Sequence, residues 1–210
     1  MKIVDFVILR HGKADKNLGS TLSAQELQRA YKAGSQLDVY SINLVGYSIL
    51  ARAIQTVLAI VTGFIGAVTR LRLAEAIPAF GSDSLFAEMT APSNFREVAA
   101  NKGNFKALYD VHPIEKIIAW QTAMVAGFDT LFGLARDHET VLLGIHSPSV
   151  EMLLDGLMKR QGDGIEEELT KFAELDAVVV RAIQESEGNM IDVEILRKIN
   201  APALKDSAQR

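Results

Sequence analysis

The chain opens with a nearly unbroken apolar run, Val4 to Leu9, that stops at Arg10, His11 and Gly12. A short β-branched run of this kind is the pattern of a strand buried on both faces of a parallel sheet. Thr21 or Ser23, with Gln25 or Glu26 near the capping-box position, then predicts a helix to about Leu37. Leu22, Leu27, Ala30, Tyr31, Ala33 and Gly34 supply its apolar face. Asn43 to Ser48 reads as a second strand, Ile49 to Ile65 as a long helix and Arg70 to Ala76 as a short third strand. Ile77 to Asn94, with Pro78, Gly81, Asp83, Glu88 and Pro92, reads as a long irregular loop of the functional kind. Helices are predicted over Phe95 to Asn101 and from Pro113 to Ala135, with Pro113 suited to a first turn. Thr140 to Ile145 predicts another buried strand, and Ser147 or Pro148 starts a helix through Met158. Ala177 to Ala182 and Met190 to Ile195 alternate around Glu187-Gly188-Asn189, a hairpin at a sheet edge. Strands alternating with helices define an α/β chain with a mostly parallel sheet. No repeat, low-complexity tract or linker divides it, so a single domain over 1–210 is expected.

Composition removes alternatives. At 210 residues, 49% apolar and 23% charged, the chain can bury a full core without metals or disulfides, and it has no cysteine for thiolate chemistry. A net charge of −4 without a basic run argues against nucleic acid as a partner. Ile49 to Val68 is the most apolar later stretch, but Arg52 and Gln55 make it a buried amphipathic helix rather than a membrane span. The start lacks a signal-peptide design, and a cytoplasmic protein is expected.

The chemistry gathers at strand ends. In open α/β sheets, ligands bind just beyond the carboxyl ends of the strands. Arg10 and His11 sit at one such end, Ser48 with Arg52 one turn beyond at a second, and His146 at a third. Arg offers a planar fork of donors for phosphate or carboxylate, and His can serve as base, acid or nucleophile. Gly12 lets the backbone approach a ligand closely. Other polar candidates have plainer readings. His138 is a solvated loop residue, His112 a surface or capping residue, and Trp120 and the phenylalanines belong to the core. Glu166, Glu167 and Glu168 form a solvated helix face, since neighbouring helical residues fan apart.

Four patches resemble the histidine phosphatase superfamily, the phosphoglycerate-mutase-like proteins. Arg10-His11-Gly12 resembles its signature tripeptide, with Asn17 where many members place an Asn. Leu22-Ser23 and Gln28-Arg29-Ala30 resemble a helix start in which Glu26 replaces the usual Gly and Arg29 the usual Gln or Glu. Ser48-x-x-x-Arg52-Ala53-x-Gln55-Thr56 is similar to the second signature, and Ile145-His146-Ser147-Pro148 to the third. The Arg10-His11-Gly12-Lys13-Ala14-Asp15 opening also resembles the small bacterial phosphohistidine phosphatases.

The resemblance implies an α/β fold, a three-layer α/β/α sandwich with a C-terminal antiparallel edge hairpin and a helical and loop cap at about 77–135 that sets specificity. It implies a phosphatase that needs neither metal nor cofactor and works through a phosphohistidine on His11. Arg10, Arg52 and His146 would bind the phosphoryl group, with Gly12, Asn17 and Ser147 alongside. The Gly12 backbone would fix the His11 tautomer. Glu88, with Asp83 as the other choice, would protonate the leaving group. The acid-phosphatase-like branch has an acid directly after the second His, where this chain has Ser147. Implied substrates are a phosphorylated small molecule or a phosphoprotein side chain, with no nucleic acid and no membrane as partners; a homodimer is left open. Phosphoglycerate-mutase-type transfer is the first alternative, although Arg96 and Lys102 are isolated and form no Arg-Arg pair. A non-catalytic phospho-ligand-binding member is the second.

Overall fold

β1 (Lys2–Arg10) runs through the middle of a six-stranded sheet, flanked by β4 (Glu139–Ile145) and β5 (Ala177–Gln184). The computed structural model describes residues 1–15, 21–37, 41–63, 71–186 and 191–200. Beyond β4 lie β2 (Ile42–Tyr47) and β3 (Arg72–Leu73), and beyond β5 lies β6 (Asp192–Ile199), giving the order β3-β2-β4-β1-β5-β6. Strands β1 to β4 pair in parallel, while β5 and β6 are antiparallel, so the expected edge hairpin strands are present. The Glu187-Gly188-Asn189 turn, Asn17 and the final residues, 201–210, lie outside the described residues.

Alternation along the strands builds the three layers. Val4, Phe6 and Ile8 of β1 join Val141, Leu143 and Ile145 of β4 in one core, covered by α6 (Ile114–Leu134) and α7 (Ser149–Arg160). Val7, Leu9 and Leu142 point the other way, against α1 (Ala24–Leu37) and α2 (Ala51–Gly63). Asp5, the acid within the first apolar run, lies opposite Arg181 on β5 and accepts hydrogen bonds from its Nε at 2.8 Å and Nη2 at 3.0 Å.

Helices α1 and α2 cross almost backbone to backbone. A Cβ on Gly34 would lie 2.2 Å from the Ile60 carbonyl oxygen, and one on Gly63 would lie 1.9 Å from that of Tyr31. This close crossing keeps the start of α2, and with it Arg52, over the end of β2.

The region between β3 and β4 departs from expectation. Ile77 to Asn94 is not a loop: it contains a 3-10 turn, Pro78–Phe80, and a helix α3, Asp83–Thr90. The third strand is only Arg72–Leu73. After α4 (Phe95–Lys102), Gly103 turns the chain at φ 84° into an unexpected helix α5 (Asn104–Val111). Phe80, Met89, Phe95, Phe105 and Leu108 pack into the same core as Phe6 and Ile8. Helix α6 is long and apolar enough to cross a bilayer, but it packs its Ile117, Trp120, Met124, Phe128 and Leu131 against this core.

Candidate active site

The parallel register carries the chemistry to one edge. Arg10 is paired with Ile145 and Tyr47 with Gly144, so the residues that follow, His11, His146 and Ser48, emerge side by side. The ladder extends one step further: the His11 N–H donates to the Ile145 carbonyl at 2.8 Å, and the Ser48 N–H to that of Gly144 at 3.1 Å.

His11 is held at both ring nitrogens. Its Nδ1 lies 2.6 Å from the Gly12 carbonyl oxygen, and the Arg52 Nε–H donates to Nε2 at 2.9 Å. Guanidinium can only donate, so Nε2 is the acceptor and Nδ1 carries the proton that Gly12 receives. Burial pushes the His11 pKa down to about 3, and Arg52, His146 and Arg10 repel a further positive charge there. At neutral pH the ring is uncharged, with its lone pair on Nε2.

Arg52, Gln55 and Thr56 share the first turns of α2 and act together. The Thr56 hydroxyl donates to the Arg52 carbonyl at 2.6 Å and accepts the Gly12 N–H at 3.1 Å. Gln55 Oε1 accepts the Leu22 N–H at 2.7 Å. Thr56→Val leaves the Gly12 N–H unsatisfied; it is expected to cost about 1–2 kcal/mol of stability. Any catalytic loss should fall on kcat more than KM, and denaturant unfolding with steady-state kinetics checks both.

Glu26, expected near a capping-box position, instead supports the loop after His11. Its carboxylate is buried, accepts the Lys13 N–H at 3.0 Å and pairs with Arg29 at 2.7 Å. Glu26 and Arg29, the two departures from the resembled helix start, therefore form one ion pair under the loop after His11. The signal in the sequence is that both departures occur together, three residues apart. Ser23 caps this helix, accepting the Glu26 N–H at 3.2 Å.

His146 faces His11, with ring centroids 6.3 Å apart. Its Nδ1 lies 2.9 Å from the Ser147 carbonyl oxygen, which fixes the proton on Nδ1. The Ser149 hydroxyl therefore donates to Nε2, at 3.1 Å. Burial lowers the His146 pKa to about 4, helped by Arg52 and Arg10. The Phe86 ring meets it edge-on at 5.8 Å, and Gly81 lies so close that a Cβ there would sit 2.5 Å from Nε2. Phe86 is thus 40% exposed beside the site, in contrast to the core position expected of it.

Both histidines have depressed pKa values, so the unfolded chain binds more protons than the native one below about 6.5. Their contribution is present above that pH and lost as pH falls through 4 toward 3. The unfolding free energy should decline from pH 6.5 to 4, and His146→Asn should remove about 3 kcal/mol of that decline. Urea unfolding across this range is the check.

Arg10 reaches away from the two rings: Nη1 donates to the Phe172 carbonyl and Nη2 to Glu174 at 3.1 Å. Its Nε is buried without a hydrogen-bond partner among the described residues, as is the Ser48 hydroxyl. Glu88 is not brought to the cluster. It is exposed and pairs with Lys116 at 2.8 Å, near Trp120 and His112, and it lies about 200° around α3 from Phe86. Asp83, one turn before Phe86 on the same face, supports the Arg52 charge electrostatically against burial. Asn17 lies outside the described residues.

Histidines outside the cluster have structural partners. His112 Nε2 lies 2.8 Å from the Met89 carbonyl oxygen and its ring packs edge-on against Trp120. His138 sits at the opposite end of the sheet, where its N–H donates to the Ile3 carbonyl at 2.7 Å. Glu167 starts a 3-10 turn, Glu167–Thr170, and pairs with Lys106 at 2.6 Å.

The fold is shared with solved structures of a phosphoglycerate mutase and of phosphatases. A mycobacterial glucosyl-3-phosphoglycerate phosphatase, in complex with VO3, superposes with TM-score 0.60 at 18% identity, covering 94% of this chain and 99% of its own. Phosphoglycerate mutase from Bacillus anthracis gives 0.59 at 15% identity, covering 93% of each chain. A phosphoserine phosphatase from Entamoeba histolytica, in complex with phosphoserine, gives 0.55 at 16% identity, covering 93% and 96%. No protein-family profile and no curated protein matches the sequence.

Proposed function

We propose that the chain is a phosphomonoesterase of the histidine phosphatase superfamily, with His11 as nucleophile. The observation that carries this reading is the His11 tautomer: Nδ1–H is committed to Gly12, and the Nε2 lone pair is aimed at Arg52. An arriving phosphoryl group takes the Arg52 hydrogen bond onto its own oxygen, which uncovers Nε2 for in-line attack. The N–P bond forms as the bond to the leaving oxygen breaks, and water then attacks the phosphohistidine to release phosphate.

Arg52 and Arg10 offset the charge on the phosphoryl oxygens. His146 presents a lone pair at Nε2 in the ligand-free state, so it binds phosphate by taking up a proton, or by passing on the Ser149 hydroxyl. Asp83, rather than Glu88, is the proton donor to the leaving oxygen, since it shares the face of α3 that meets His146 and Arg52. Phe86 offers an apolar wall to the leaving group. Hydrolysis is favoured over mutase-type transfer because the cap lysines Lys102, Lys106 and Lys116 are each paired with a carboxylate. A small phosphorylated molecule or a phosphorylated side chain, met in the cytoplasm, is the substrate class.

The test is to mix the protein with a phosphate-labelled aryl phosphate in the presence of a chelator and quench within a turnover. Label held on the protein, stable to alkali and lost in acid, is the expected result. Turnover without such label would remove the covalent step, and turnover abolished by chelator would remove the metal-free reading.

A further inference from the structure

Behind the cluster lies a carboxyl group that the reaction above does not use. Glu151, in the first turn of α7, is 2% exposed. Its Oε1 accepts the Ser147 hydroxyl at 2.9 Å, and its Oε2 is buried without a partner among the described residues. Ser147 directly follows His146 at the end of β4. Arg10 is the cation that acts on this carboxyl, and the Phe172 backbone, which accepts from Arg10, faces it as well. A carboxylate that served only to cap α7 would gain from solvent contact, whereas this one is enclosed against the hydroxyl of the residue that follows His146.

We propose that Ser147 and Glu151 form a proton-controlled donor pair for the anion pocket: Ser147 hydrogen-bonds a bound tetrahedral anion, and Glu151 determines whether it can. This deepens the phosphatase reading and rests on it. When Glu151 is ionised it accepts the Ser147 proton, so the hydroxyl has no donor left to offer, and the buried negative charge repels an anion. When Glu151 is protonated, its own O–H donates to Ser147 Oγ. The Ser147 proton then turns toward the pocket, and Arg10 is no longer partly neutralised. Glu151 is a positioning residue in this scheme, and the one covalent change is the gain or loss of a solvent-derived proton on its carboxyl oxygen.

Burial pushes the Glu151 pKa up to about 7, while its own backbone N–H, the Ser147 hydroxyl, the Arg10 charge and the Phe172 backbone pull it down. The switch therefore falls near neutrality. The other charged groups around it are His146 on the preceding strand end, and Glu174, which is shared with Arg10 at 3.1 Å. Further along α7, Asp155 is already paired with Lys159 at 2.8 Å.

The probe is sulfate, whose charge stays constant from pH 6 to 8.5, with affinity measured calorimetrically on the full chain. The wild-type dissociation constant should rise about tenfold more over this range than that of Glu151→Gln, which copies the protonated carboxyl. Titration of His146 affects both proteins alike and drops out of the comparison. Ser147→Ala should weaken binding at pH 6 several-fold. A second reading needs no variant: the carboxyl carbon resonance of Glu151 in the wild type should titrate at higher pH when sulfate is added. Superimposable wild-type and Glu151→Gln profiles, or a Glu151 midpoint unmoved by sulfate, would overturn the proposal while leaving the phosphatase reading intact. Absence of sulfate binding at every pH would overturn both.

Discussion

His11→Ala is expected to lower kcat for an aryl phosphate by about 10⁴-fold or more, and Arg52→Ala by about 10³-fold, with the fold intact by circular dichroism. The two losses have different origins. Without His11 no covalent acceptor remains, and water must attack a charged phosphoryl group directly. Without Arg52 the acceptor remains, but nothing draws the phosphoryl oxygens onto Nε2, and His11 loses the 2.9 Å contact that orients it. Because these residues act as a unit, the double variant should be little worse than His11→Ala alone. The leaving group separates the acid from both. Asp83→Asn should slow an alkyl phosphate about 100-fold and barely affect an aryl one, whose phenolate departs without help. Glu88→Gln should leave both rates unchanged. Activity that survives in His11→Ala would reject the nucleophile outright.

Gly63→Ala should destabilise the protein by about 3 kcal/mol or more, lowering Tm by about 10 °C. The atom that a Cβ would meet, the Tyr31 carbonyl oxygen at 1.9 Å, belongs to backbone and cannot rotate away. Helices α1 and α2 must separate, which moves Gln55, Thr56 and Arg52 relative to the Gly12 loop. Loss of activity is therefore expected to accompany the loss of stability at temperatures well below Tm. Gly133, near the end of α6, is the control, since a Cβ there meets nothing within 4 Å. Gly133→Ala should stabilise by about 0.5–1 kcal/mol through helix propensity alone. Calorimetric scans of the two variants measure both effects, and equal Tm values would show that the crossing is less tight than these distances require.

The strands and their ends were legible because burial on both faces writes itself as a continuous apolar run, and each run ends where the polar cluster begins. The positions of His11, Arg52 and His146, which the structure brings together, follow from that pattern, whereas the Arg10 guanidinium turns to Phe172 and Glu174. The region after β3 did not follow from it. Helix α3 is eight residues long, is capped by Ser82 and buries only Met89, so it lacks the apolar stripe that announces a helix. Its rotation, which turns Asp83 and Phe86 toward the cluster and Glu88 toward Lys116, cannot be read until the helix itself is recognised. Contacts between distant segments were likewise silent. Arg10 meets Phe172 and Glu174 more than 160 residues away, and no local spacing signals that tether. Ser149 and Glu151 belong to no sequence motif, and only the direction of the His146 tautomer and the enclosure of the Glu151 carboxyl give them meaning.

The segment over the site shares its interior with the sheet: Phe80, Met89, Phe95, Phe105 and Leu108 lie in one core with Phe6, Ile8, Leu143 and Ile145. A cover built this way cannot be exchanged as a module. On the phosphatase reading, changes in its buried interior should register as thermal instability before they register as altered preference, and new specificity should be accessible mainly through the site-facing positions Asp83 and Phe86. Libraries confined to those positions should retain folded members far more often than libraries that exchange the whole segment.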